Sequence, residues 1–213
     1  MSSVRGVVVV AHGGREASTA PTSAIQPAVL RMVPVAAVIR RALPAGSVVV
    51  SRPRFRVQGW NGAQASPVGD LSQHLDDLRG QFGPVPVVLV GHSMGARAAL
   101  RAAGHPSVAA VAGLAPWLPA GEPVDQLAGR SILLAHGTAD VVTSAAETWA
   151  YADRARARAR VIEVEIRGGD HPMIRRAGLW HALAVAFAGV ALGFAPRPGP
   201  AAGALAHLGH TVL

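Results

Sequence analysis

The sequence contains no cysteine and no lysine. Without cysteine there is no disulfide framework, no thiolate metal site and no cysteine nucleophile. Charge is scarce as well. Charged residues make up 15% of the chain, against roughly 25% in an average soluble domain, and aromatic residues only 4%. Half of the residues are apolar, which excludes a disordered chain and calls for a well-buried layer of sheet or helix. Acids are outnumbered: 12 Asp and Glu stand against 20 basic residues, all of them arginine, for a formal charge of +8. That sign favours anionic surfaces or substrates. The abundance of Arg, Ala, Gly, Val and Pro together also matches the coding bias of a GC-rich genome. The sequence has no Walker loop, no G-x-G-x-x-G and no zinc spacing among its nine histidines. Arg154, Arg156, Arg158 and Arg160 alternate through the end of a helical stretch with no recognition motif, so nucleic acid is not expected as a partner.

Long hydrophobic runs are few. The first, residues 7–11, is shorter than a signal-peptide core of roughly 7–15 residues and reads as a strand. The other, residues 177–195, carries no formal charge over nineteen positions, which meets the length criterion for a spanning helix. Ten of those nineteen are Ala or Gly. At helical spacing Leu179, Leu183, Val190 and Phe194 share a bulky face and His181, Ala184, Ala188, Ala191 and Ala195 a small one, as suits a helix packed closely on a sheet. A buried helix and a cytoplasmic, non-membrane protein are the expectation.

What is present is a series of Val-rich runs: residues 7–11, 47–51, 85–90, 108–114, 131–135 and 161–166. Helix-compatible stretches, 24–42, 67–82, 95–103 and 143–159, lie between them, the second with Asp70 set to favour its dipole. Residues 7–10 and 87–90 are apolar throughout instead of alternating, as parallel strands covered on both faces are. Strand and helix alternating in this way predict an α/β fold: a doubly wound, mostly parallel sheet of about six strands in a three-layer α/β/α sandwich. At 213 residues, one domain over 1–195 with a loose tail over 196–213 accounts for the chain. Ligands in such sheets sit beyond the carboxyl ends of the strands, so chemistry is sought directly after each run.

After the run 87–90 comes Gly91-His92-Ser93-Met94-Gly95, then an Ala-rich helical stretch. This is G-x-S-x-G in its strand-turn-helix context, a sharp turn that projects the serine hydroxyl while the glycines keep side chains away. A serine hydroxyl needs a histidine base and an acid to fix that base's tautomer. Gly137-Thr138-Ala139-Asp140 and Gly168-Gly169-Asp170-His171 each follow a strand, which nominates Asp140 as acid and His171 as base. The order Ser, Asp, His differs from the orders of the chymotrypsin and subtilisin arrangements. Asp170 adjoins His171 too closely to orient it and is expected to brace the loop, while His92 and His136 are weaker candidates for the base. The oxyanion of the transition state requires two donors: the backbone N–H of Met94 and one from the loop His12-Gly13-Gly14-Arg15, assigned to Gly14. Trp60 and Trp117 are candidates for an acyl pocket, and Arg52, Arg54 and Arg56 alternate along one loop that is either solvated or faces an anionic substrate.

By His12-Gly13-Gly14, Gly91-His92-Ser93-Met94-Gly95, Gly137-Thr138-Ala139-Asp140 and Gly169-Asp170-His171 the chain resembles the α/β-hydrolase fold superfamily over roughly residues 4–195. It is also similar, through Arg56-Val57-Gln58-Gly59-Trp60-Asn61-Gly62, to compact, lidless members of actinobacterial type. The resemblance implies hydrolysis of small-molecule carboxylic esters or thioesters through an acyl-serine, with no metal and no organic cofactor. Acyl transfer on the same fold, or a non-catalytic binding relative, are the alternatives. Two departures bear on the substrate. Only about six residues precede the first strand, where many relatives have a hairpin, and only residues 115–130 separate two strands between which many relatives carry a cap. An open cleft follows, suited to small or exposed acyl groups.

Overall fold

The computed structural model describes residues 4–207 and 209–213. The strands are β1 (Gly6–Ala11), β2 (Val48–Ser51), β3 (Val87–His92), β4 (Val108–Leu114), β5 (Ser131–Gly137), β6 (Arg160–Ile166) and β7 (Gly209–Val212). They form one sheet in the order β2-β1-β3-β4-β5-β6-β7, with every neighbouring pair parallel. The helices are α1 (Pro27–Leu30), α2 (Met32–Ala42), α3 (Ser66–Phe82), α4 (Met94–Arg101), α5 (Ala145–Ala155), α6 (Ala177–Ala191) and α7 (Pro200–Ala206).

Two hydrophobic layers explain why the strands are apolar throughout. Val8 and Val10 face α2, α6 and α7, whereas Val7 and Val9 face α3, α4 and α5. Each residue of the strand therefore loses water on one side or the other, and no polar position is left for alternation. The stretch 177–195 is a helix only as far as Ala191, the chain turning at Gly193 with φ 80°. Trp180, Leu183, Ala184, Phe187 and Ala188 are buried against the sheet, so both small and bulky positions serve packing, with Val190 left exposed. No helix among the described residues is long and apolar enough to cross a membrane.

Three expectations need correction. The stretch 24–42 forms two helices. Pro27 opens the first and Pro34 lies in the opening turn of the second, where a missing N–H is tolerated. Asp70 lies beyond the first turn of α3 and instead accepts from the Arg56 backbone N–H at 2.7 Å and from its guanidinium at 2.5 Å. Residues 196–213 are not a loose tail. They supply α7, whose Ala201, Ala204 and Leu205 are buried, and β7, which pairs with β6 as the seventh strand. The last residue closes that edge, since Leu213 donates to Glu165 at 2.9 Å and accepts from Arg167 at 2.8 Å.

The strand order reverses at β1. From it the chain passes to β2 on one side and then returns to β3 on the other, which leaves a crevice at the carboxyl ends of β1 and β3. The loop after β1 and the turn after β3 meet there.

Candidate active site

Ser93 sits between β3 and α4 with φ 54° and ψ −120°, a conformation that L-residues rarely adopt. The flanking glycines allow it. A Cβ on Gly91 would stand 2.5 Å from Ala96 Cα, and one on Gly95 would stand 2.6 Å from the Ala11 carbonyl oxygen and collide with that of His12. The elbow is thus wedged against the loop that follows β1, and the serine hydroxyl is left at the crevice.

That loop is held by His12. Its buried ring accepts from the Phe55 N–H at Nε2 (3.1 Å), which fixes the tautomer so that Nδ1–H donates to the Gly13 carbonyl at 2.7 Å. In a trans peptide the Gly14 N–H then points opposite to that carbonyl. Among the described residues the N–H groups of Gly14 and Met94 donate to no protein acceptor. A Cβ on Gly13 would lie 3.3 Å from Ser93 Cβ, and one on Gly14 would lie 2.6 Å from the Met94 sulfur. The two expected oxyanion donors are therefore brought together at the serine. Burial, with the charges of Arg54 and Arg52 adding to it, holds the His12 pKa below its ordinary value, so the ring is neutral.

Asp140 and His171 meet, with Nδ1–H of His171 donating to Asp140 Oδ2 at 2.8 Å. The same oxygen accepts from the Thr143 hydroxyl (2.9 Å) and from His136 Nε2 (3.2 Å), and Oδ1 accepts from the N–H groups of Val142 (2.8 Å) and Thr143 (3.0 Å). Burial by itself would raise the Asp140 pKa, but these donors outweigh it and hold the carboxyl well below the usual range. Asp140 is therefore an ionised acceptor for the ring of His171. Among the described residues no hydrogen bond joins Ser93 Oγ to His171. The imidazole is nonetheless at the elbow, its centroid 4.8 Å from that of His92.

The remaining histidines take structural parts. His92 Nε2–H donates to the His171 carbonyl at 2.8 Å and so ties the loop after β6 to the elbow. Complete burial, reinforced by the neighbouring His171, pushes its pKa down to about 3. His136 is buried between Asp140 and the Thr148 hydroxyl, the latter at 2.8 Å. Asp170 accepts from the Arg175 N–H at 2.9 Å, the bracing expected of it. Thr143, the contact of His136 with Asp140 in place of a part as base, and the His12–Phe55 bond were not anticipated from sequence. Spacing alone hinted at two of them, since Thr143 stands three residues after Asp140, as in an Asx turn, and His136 four before it.

Trp60 and Trp117 pack edge to face at 6.2 Å, with the Arg97 guanidinium carbon 3.9 Å from one ring centroid and 4.4 Å from the other. Arg97 and Arg101 both pair with buried Glu122. The Trp117 N–H donates to the Ser93 carbonyl at 3.3 Å, so this cluster abuts the elbow. Together with Arg15, Glu16 and Pro119 the two tryptophans line an open cleft of about 920 Å³. The two rings thus pack on each other and border this cleft.

No family model matches the chain, and no curated protein matches it. Solved structures do. An alpha-beta serine hydrolase homologue from Coxiella burnetii superposes with a TM-score of 0.65 at 18% identity, covering 86% of this chain and 85% of that one. The esterase domain of a Rhodothermus marinus protein gives 0.60 at 19% identity, covering 90% and 88%. A Pyrobaculum calidifontis esterase gives 0.64 at 16% identity, covering 90% and 78%. Together with the parallel sheet, its strand order and the elbow between β3 and α4, these likenesses show that the chain has the α/β-hydrolase fold.

Proposed function

We propose that the chain is a serine hydrolase that cleaves small carboxylic esters or thioesters. The observation that carries this reading is the Asp140–His171 hydrogen bond beside a serine held in a strained elbow. Ser93 Oγ attacks the acyl carbon while His171 Nε2 takes its proton, and the carbonyl oxygen becomes an oxyanion facing the N–H groups of Gly14 and Met94. As the intermediate collapses, His171 returns the proton to the departing alcohol or thiol, leaving an acyl-Ser93. Water, deprotonated by the same imidazole, then releases the acid and regenerates the serine. The open cleft at Trp60 and Trp117, which abuts the elbow through the Trp117–Ser93 backbone bond, is the proposed seat of the acyl group. Trp60 and Trp117 supply its apolar wall.

Turnover of short p-nitrophenyl esters and of an acyl thioester tests the proposal. The expected result is hydrolysis by the native chain and none by Ser93→Ala. Absence of turnover with every ester and thioester tried would favour a ligand-binding relative instead.

A further inference from the structure

Large aliphatic side chains are exposed on this molecule in an uneven way. Eight are exposed among the described residues, and six of them lie on three segments at the carboxyl end of the sheet: Ile25 (79%), Leu30 and Val33 after β1, Val141 (95%) and Val142 after β5, and Ile174 (74%) after β6. The three segments adjoin one another. Leu30 and Val33 share a small cavity of about 200 Å³ with Arg52 and Arg54, Met32 beside them packs in one buried cluster with Met173 beside Ile174, and His171 bonds Asp140 next to Val141. Exposed aliphatic side chains gathered at one end of the sheet in this way mark an interaction site.

Its surroundings are basic. Arg52, Arg54, Arg175 and Arg176 are exposed on the same end of the sheet, and Arg31 is half-buried there. None of these five forms an ion pair among the described residues. Of the acids at this end, Asp70 is occupied by Arg56 and Asp140 by the site itself, while Glu16 and Asp170 form no ion pair among the described residues and leave the five arginines in excess.

We propose that this rim docks on an anionic lipid surface, with Ile25, Leu30, Val141 and Ile174 entering the interface and the arginines facing the headgroups, so that the crevice at Ser93 opens toward the lipid. The inference goes beyond the hydrolase reading and departs from the expectation of no membrane contact, because side-chain exposure on separate loops leaves no trace in a hydropathy run. Separate aliphatic tips bordered by cations are the pattern that inserts between anionic headgroups. An acidic protein partner would call for a groove or aromatic anchors. The cavity at Leu30 and Val33 is too small for a helix, and none of the eight large hydrophobics exposed among the described residues is aromatic.

Co-sedimentation of the full chain with phosphatidylcholine vesicles, with and without phosphatidylglycerol, tests this without any assay of activity. Binding is expected to the anionic vesicles only, to weaken with added salt, and to persist in Ser93→Ala, which separates docking from catalysis. Ile25→Ser with Ile174→Ser should lower partitioning about tenfold or more. Arg52→Gln and Arg175→Gln should each lower it about fivefold. Val190→Ser, on the exposed end of α6 away from the rim, should leave it unchanged, and circular dichroism of each variant verifies folding. No sedimentation with anionic vesicles, equal sedimentation with neutral ones, indifference to the rim variants, or retention by an acidic polypeptide in place of vesicles would each overturn the proposal.

Discussion

The strain at Ser93 gives a stability prediction independent of any substrate. Its φ of 54° and ψ of −120° match the first central position of a type II′ turn, a geometry dominated by glycine because a Cβ crowds the backbone there. Holding a residue with a side chain in such a region costs roughly 1–3 kcal/mol. Glycine removes that strain but brings about 0.5–1 kcal/mol of extra unfolded-chain entropy. Ser93→Gly should therefore be about 1 kcal/mol more stable than Ser93→Ala, which lacks the same hydroxyl but keeps the Cβ. For a chain of this length that is about 2–4 °C in melting temperature. The comparison cancels the loss of the nucleophile, since both variants are inactive on the proposed mechanism. Thermal unfolding of the two, followed by circular dichroism at one scan rate, reads the difference. Equal melting temperatures, or a lower one for Ser93→Gly, would refute the argument that the fold stores strain at Ser93.

Four further outcomes follow from the site. Asp140→Asn removes the anion that fixes the His171 tautomer and should lower kcat by about 10³–10⁴ with the fold retained, measured by ester hydrolysis and circular dichroism. His12→Ala leaves the Phe55 N–H unpaired and frees the Gly13–Gly14 peptide, so kcat should fall by up to about 10² with KM little changed. Arg97→Ala removes the cation between two tryptophans and one partner of buried Glu122, for a loss of about 3 kcal/mol in denaturant unfolding, Arg101 sparing part of the pair. His92 is neutral when folded down to about pH 3 but protonates at its ordinary 6.5 when unfolded, so it contributes full stability above 6.5 that declines as pH falls toward 3. His92→Gln should flatten the acid-unfolding profile across that window.

Sheet and elbow were legible in the sequence because both leave local marks. Four consecutive valines in β1 can be buried only between two layers, and the glycines at 91 and 95 are required by backbone contacts within a few ångströms. The parts that were missed depend on partners distant in the chain. β7 has the sequence Gly209-His210-Thr211-Val212, with no apolar run, and exists as a strand because β6 offers it an edge to pair with. The donors to Asp140 from Thr143 and His136 depend on how the loop after β5 folds back, and the placement of Arg97 between Trp60 and Trp117 joins three segments. Aliphatic exposure at Val141 and Ile174 is likewise a property of the folded loops.

The central claim is that Ser93 is a nucleophile made reactive by His171. A fluorophosphonate probe, followed by mass-spectrometric mapping of the modified peptide, reads it directly. The account predicts a single adduct on Ser93, lost in Ser93→Ala and strongly slowed in His171→Ala. An adduct on another residue, or labelling of Ser93 at the same rate without the imidazole, would contradict it.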